Sequence, residues 1–253
     1  MHLRRLLVAV VSLLPASSAF SVPINVLSAA RHIAIYGDAS AFPEEASFYR
    51  ASGPSAPLAD FSLEIHDKVS VLGPNDEPGF EAYPVSAMAE SRAQQTSFVR
   101  FDEIFFDTFV LAETSSFTAF EGYSHAWAET YFQAVFKVPF AARYTIDYGW
   151  SEIQHDLEFT SSRSGELLTG NLDFLPDSGI LVPGDTYTLT GYAYAETWFG
   201  GDIGRDESGF IFADLKVGPQ VPETGATLSL LILSIAALAV LRRAHWLCSV
   251  ARR

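Results

Sequence analysis

From Ser21 to Gln220 the dominant apolar period is two, and that period restricts the chain to sheets. Phe61, Leu63 and Ile65 alternate with Ser62, Glu64 and His66. Tyr187 and Leu189 alternate with Thr186, Thr188 and Thr190 after the turn Val182-Pro183-Gly184-Asp185. Ala142–Tyr148 and Ile153–Phe159 are two more such runs, and Phe210, Phe212 and Leu215 close the pattern near Lys216. The breaks carry Gly, Pro, Asn and Asp, as in Gly73-Pro74-Asn75-Asp76 and Asp177-Ser178-Gly179. These are strand and turn signals. No long segment has a 3.6-residue apolar stripe, so no helices intervene between the strands. The pattern predicts an all-β, antiparallel two-sheet sandwich, jelly-roll-like, over residues 20–218. A β-solenoid would need a fixed repeat of roughly 20–30 residues, and none is present.

One short segment recurs. Ala126-Trp127-Ala128-Glu129-Thr130-Tyr131-Phe132 returns as Ala193-Tyr194-Ala195-Glu196-Thr197-Trp198-Phe199, each copy shortly after a Gly-Tyr pair. Alternate residues of a strand share a face. One face of each copy therefore carries Ala, Ala, Thr and Phe, small enough for close packing. The other carries aromatic, Glu, aromatic. On neighbouring strands, Trp127, Glu129, Tyr131, Tyr194, Glu196 and Trp198 would form a platform on which sugar rings stack while carboxylates accept hydroxyl hydrogen bonds. Ordinary cross-strand aromatic pairing, at about 0.2–1 kcal/mol per pair, is the plainer role for the same residues.

No catalytic motif matches this platform in strength. Glu152, Gln154, Asp156 and Glu158 share one face of a strand, in outline like the carboxylate ladder of jelly-roll glycosidases. Gln154 stands where the first carboxylate belongs, so the row reads as a solvated face. His32, His66, His125 and His155 lack metal-ligand spacing, and no Gly-x-Ser-x-Gly elbow exists. The segment Gly200–Gly209 offers Asp202, Asp206 and Glu207 as hard oxygen ligands for calcium, without EF-hand spacing and with Arg205 in their midst. A solvated hairpin loop is the simpler reading. No cofactor is expected.

Both ends of the chain carry export signals. Arg4 and Arg5, the apolar Leu6–Leu14 and the small residues to Ala19 have the layout of a signal peptide over 1–19. At the other end Val221-Pro222-Glu223-Thr224-Gly225 precedes the uncharged run Ala226–Leu241 and then Arg242-Arg243. As a helix this run spans about 24 Å against a hydrocarbon core of about 30 Å, a marginal span suited to a temporary tether. The expected organisation is a linker and sorting motif at 219–225, a transmembrane helix at 226–241 and a basic cytoplasmic tail at 242–253. Arg242 and Arg243 then act as the stop-transfer pair.

Charge follows the same division. Of 16 basic residues, six lie in the terminal segments (Arg4, Arg5, Arg242, Arg243, Arg252 and Arg253), and all 30 acidic residues lie between Asp38 and Glu223. Ten basic against 30 acidic residues leave the exported part at −20. Such a surface repels nucleic acid and anionic lipid. The single cysteine, Cys248, lies beyond the arginine pair, so the domain has no disulfide despite its oxidising destination.

The tail resembles the PEP-CTERM class of sorting signals, recognised by exosortases, and more narrowly its Val-Pro-Asp-Ser/Thr-Gly variants. Pro222 and Glu223 occupy the signature positions, followed by Thr224-Gly225. The motif is also one residue from a Gram-positive sortase signal, but no polar spacer separates it from the apolar run. The resemblance covers about 30 residues and implies export through the inner membrane, a membrane-anchored precursor, tail removal, and display or release near exopolysaccharide. The implied partners are signal peptidase, an exosortase-type membrane protease and the membrane itself. The expected function is non-enzymatic: an envelope or matrix protein binding polysaccharide. A secreted carbohydrate-active enzyme with unassigned carboxylates is the alternative.

Overall fold

Alternation of small or apolar residues with polar ones gives each strand an inner and an outer face, and β4 (Val85–Val99) shows it most fully. Its Val85, Ala87, Ala89, Ser91, Ala93 and Gln95 are buried, while the residues between them stay half-buried. A computed structural model describes residues 22–74, 85–117, 122–151, 153–168, 177–199 and 204–219. The proposed signal peptide, sorting motif, membrane helix and basic tail lie outside the described residues.

The other strands are β1 (Asn25–Ala41), β2 (Glu44–Ser52), β3 (Phe61–Gly73), β5 (Glu103–Phe117), β6 (Gly122–Lys137), β7 (Ala142–Trp150), β8 (Gln154–Ser161), β9 (Gly165–Glu166), β10 (Asp177–Leu181), β11 (Tyr187–Phe199) and β12 (Arg205–Pro219). They form two six-stranded sheets. The first has the order β2-β1-β6-β11-β8-β9 and the second β10-β7-β12-β5-β4-β3, with every pairing antiparallel. From β5 onward the chain crosses between the sheets at almost every connection, leaving β6-β11-β8-β9 facing β5-β12-β7-β10. That is the winding of a jelly roll. The hairpins β1–β2 and β3–β4 widen both sheets on the same side.

The core lies between the sheets. Phe106 of β5 stacks on Phe132 of β6 at 4.7 Å, and Phe136, Phe159, Tyr187 and Tyr144 cluster beside them. Small residues fill the remainder: Ala126, Ala128, Ala193 and Ala195 from the two echo segments are fully buried. Polar side chains stitch the layers together. Ser91 Oγ donates to the Tyr36 carbonyl at 2.6 Å, and Gln95 Nε2 donates to the Tyr131 carbonyl at 3.2 Å. Arg31 is also buried. Its guanidinium lies 5.6 Å from the Phe132 ring and donates to the Ala59 carbonyl, and burial pulls its pKa below the usual arginine value.

Two local expectations are corrected. Asp177-Ser178-Gly179, expected as a break, begins β10 and pairs with Ile146, Thr145 and Tyr144. The Tyr144 ring covers Gly179 so closely that an added Cβ would sit 2.7 Å from it, so the glycine serves packing rather than a turn. The segment 205–209, expected as hairpin loop, is the start of β12, paired with Thr114–Val110 of β5. A full-length partner strand overrides the weak strand propensity of Asp and Gly.

At Gly191 an added Cβ would sit 2.3 Å from the edge of the Phe106 ring, which is fully buried and held by Phe132. Gly191→Ala therefore destabilises the domain by about 1–3 kcal/mol. At about 2–4 °C per kcal/mol for a domain of this size, a differential scan of the domain reports a clear loss in Tm.

Candidate functional site

The two echo segments are neighbours. β6 and β11 pair so that Glu129 lies opposite Tyr194 and Trp127 opposite Glu196, with Tyr131 opposite Tyr192 and His125 opposite Trp198. The period of two then decides which way each side chain turns. Ala126, Ala128, Thr130 and Phe132 face the core, and Trp127, Glu129 and Tyr131 face out. In β11 Ala193, Ala195 and Thr197 face in, with Tyr194, Glu196 and Trp198 outward. All six residues of the expected platform thus share the outer face of the first sheet.

That face holds more than the two segments disclose. Register places Tyr36 of β1 beside Trp127, and Tyr49 of β2 beside Tyr36. Ring centroids lie 6.1 Å apart for Tyr49–Trp127, 6.0 Å for Tyr36–Trp127, 6.3 Å for Trp127–Tyr194 and 6.3 Å for Tyr192–Tyr194. A continuous aromatic row therefore crosses four strands. His32 lies 5.5 Å from Tyr131, and the His125 ring meets Tyr36 edge-on at 5.4 Å. These added members were hidden because strand neighbours depend on register between distant segments. The only local trace of β1 is the alternation of His32, Ala34 and Tyr36 with Ile33 and Ile35.

The carboxylates are held in matching ways. Glu129 accepts from His32 Nε2 at 3.1 Å and from the Tyr192 hydroxyl at 3.5 Å. Glu196 accepts from His125 Nε2 at 2.9 Å and from the Tyr194 hydroxyl. Each repeat of the echo therefore sets a glutamate between one histidine and one tyrosine. Burial, then the neighbouring carboxylates, push the hydroxyls of Tyr194 and Tyr192 above the ordinary tyrosine range. Both glutamates keep lone pairs to spare, since an ionised carboxylate offers about four acceptor sites.

The rings are not equivalent. Stacked neighbours cover one another's faces, and a covered face cannot receive a sugar. Trp198 is different. It is 68 % exposed, and among the described residues no ring lies against it. It borders an open cleft of about 450 Å³, lined by Glu196, Thr197, Gly204, Arg205, Asp206 and Glu207. At the far end of the row Tyr49 is 58 % exposed. The flat platform expected from six equal residues thus resolves into a packed row that ends in the exposed Tyr49, with the open ring of Trp198 standing apart from it.

The remaining candidates separate in space. Asp206 and Glu207 are adjacent in β12 and so point to opposite faces, and Glu207 Oε2 accepts the Glu196 backbone N–H at 3.1 Å. They share no coordination sphere, Asp202 lies outside the described residues, and among those residues no cluster of metal-ligating side chains forms. Gln154, Asp156 and Glu158 are exposed on the outer face of β8, with Gln154 opposite Tyr194 and Asp156 opposite Tyr192, while Glu152 is not described. His66 donates to Glu90 at 2.8 Å on the second sheet, and His155 stacks on Trp150 at 4.9 Å. No protein-family model, curated protein or solved structure matches this chain.

The raised tyrosines carry a sign. The fold favours the neutral phenol, so their contribution is complete below the free tyrosine value of about 10 and is lost as pH climbs through the higher folded value. Urea melts at increasing pH should show stability falling above about pH 10. In Tyr194→Phe the fall should be shallower.

Proposed function

We propose that this chain is an exported, surface-sorted β-sandwich of the cell envelope or extracellular matrix that adheres to polysaccharide without catalysing a reaction. The observation that carries the reading is the outer face of the first sheet, where the open ring of Trp198 stands beyond a packed aromatic row. Trp198 supplies the exposed apolar face that a pyranose needs, and Glu196, Arg205, Asp206 and Glu207 supply polar groups around it. The charge of −20 disfavours polyanions and points to a neutral or amine-bearing polymer.

Delivery belongs to the termini. Residues 1–19 direct export and are removed by signal peptidase. The run 226–241 then tethers the precursor until an exosortase-type protease cuts near Pro222-Glu223, with Arg242 and Arg243 holding the tail at the cytoplasmic side. The acidic domain is left at the surface or released.

The test compares single and double variants for retention on neutral polysaccharide columns. Trp198→Ala should lower retention about tenfold with Tm unchanged, because its exposed ring stabilises little. Trp127→Ala removes three ring contacts at about 0.2–1 kcal/mol each and should lower Tm as well. If the double variant stays folded and is retained like the parent, the adhesion reading is wrong. Release of new reducing ends by the parent would instead favour the enzyme.

A further inference from the structure

The chain enters and leaves the sandwich at the same end. Register places Asn25 of β1 opposite Lys137, Leu181 and Pro219 both opposite Ala142, and Lys216 opposite Glu103. Ile24 N donates to the Phe101 carbonyl at 2.7 Å, and Val217 N to the Asp102 carbonyl at 2.8 Å, so the first and last described segments grip the same turn.

Large apolar side chains project from that end. Phe101 in the β4–β5 turn is 58 % exposed and Phe140 in the β6–β7 connection is 66 % exposed. Leu58 and Val182 on the neighbouring connections, Leu27 near the start of β1 and Ile180 near the end of β10 are also exposed. These residues come from separate segments, and none fills the core.

Charge at this end also departs from the rest of the domain. Of the ten basic residues between the terminal segments, Arg100, Lys137, Arg143, Arg163 and Lys216 are here. Arg100 faces Asp60 at 3.9 Å, and Lys216 is shared between Asp214 at 2.6 Å and Glu103 at 3.8 Å. Asp102 and Glu166 are the other accessible acids nearby, since Asp185 is buried and takes up the hydroxyls of Ser161 and Ser162. With Asp185, which its serine partners hold ionised, six acids stand against five cations, and this end is near neutral on a domain that is otherwise strongly negative.

We infer that this end is a lipid-binding surface, and that it lies on the bilayer while the tail is uncut, with Phe101 and Phe140 inserted among the headgroups. The second half of the inference rests on the proposed tether. Six residues, Gln220–Gly225, separate Pro219 from Ala226. Even fully extended they reach only about 20 Å. Aromatic and aliphatic side chains beside Lys and Arg suit the boundary between headgroups and acyl chains. The acidic remainder is repelled by anionic lipid, which orients the domain with this end down.

The test uses the domain cut after Pro219, whose core lies wholly within residues 22–217. It is sedimented with vesicles of phosphatidylethanolamine and phosphatidylglycerol. Insertion is apolar and the opposing force is charge repulsion screened by salt, so the bound fraction should rise between about 20 mM and 200 mM salt. A polybasic surface would show the opposite trend. Phe101→Ser with Phe140→Ser should lower partitioning at least about tenfold. Phe42→Ser with Leu72→Ser, at the opposite end, should leave it unchanged. Thermal melts confirm that both double variants are folded. Absence of vesicle binding at every salt concentration, or equal loss in the two double variants, overturns the inference. Fractionation of the full-length chain with membranes reads the tether separately. If it fails while the cut domain still binds vesicles, the lipid-binding surface stands and the tether falls.

Discussion

The closeness of the two sheets governs the rest of the molecule. A serine hydroxyl reaches a backbone carbonyl of the facing layer, Ser91 to Tyr36 at 2.6 Å. This requires the backbones there to approach more closely than the ~10 Å of ordinary sheet packing. Only small inner side chains allow it. Ala87, Ala89 and Ala93 from β4 face β1 and β6, where Ala126 and Ala128 lie, and Ala193 and Ala195 from β11 face β5 and β12, all essentially inaccessible to solvent. Where a ring does enter, its space is made by glycine, as at Phe106 over Gly191. Without disulfides, this interdigitation of alanines with a few rings must hold the layers by itself.

Tight layers explain the outer face. An interior built for alanine cannot take the bulky half of each echo segment, so Trp127, Tyr131, Tyr194 and Trp198 turn outward. Once there, Trp127 and Tyr194 pack against each other and against Tyr36, Tyr49 and Tyr192, and a packed row hides apolar surface that isolated rings would expose to water. The row has ends, however, and an end ring has no neighbour on one side. Tyr49 is such an end, and Trp198, which stands beyond the row with no described ring against it, keeps its face open.

Much of this was legible in the sequence, and the limit is physical. The period of two gave the strands and the inner and outer sets of each. The turn residues gave most of the breaks, including Pro183-Gly184, where Gly184 adopts φ +84°. Pairing is not a local property. β6 and β11 are neighbours although four strands separate them in the chain, and nothing in either copy of the echo names Tyr36, Tyr49, His32 or His125 as companions. The same limit explains β10 and the start of β12. Their Asp, Ser and Gly residues read as loop, and only the presence of β7 and β5 alongside makes them strands. Buried Arg31 was likewise silent, because an arginine in an alternating segment carries no mark of the carbonyl it will meet.

Long strands without covalent staples carry a hazard, since the outermost ones offer unpaired backbone to other chains. β3 runs for 13 residues at the edge of the second sheet. Its centre is His66-Asp67-Lys68, and each side chain is engaged. His66 and Lys68 reach Glu90 at 2.8 and 2.9 Å, and Asp67 meets Arg50 of the other edge strand, β2, at 3.3 Å. Exposed pairs of this kind add little to stability, about 0–1 kcal/mol each. Their effect lies in what they oppose. A strand from another molecule docking on β3 would have to strip water from this charged cluster and bring a second acidic domain against the first. The Arg50–Asp67 pair also ties the two edge strands together across the open flank of the sandwich, where the layers would otherwise part most easily. The edges of this domain thus resist self-pairing through charge rather than through cover.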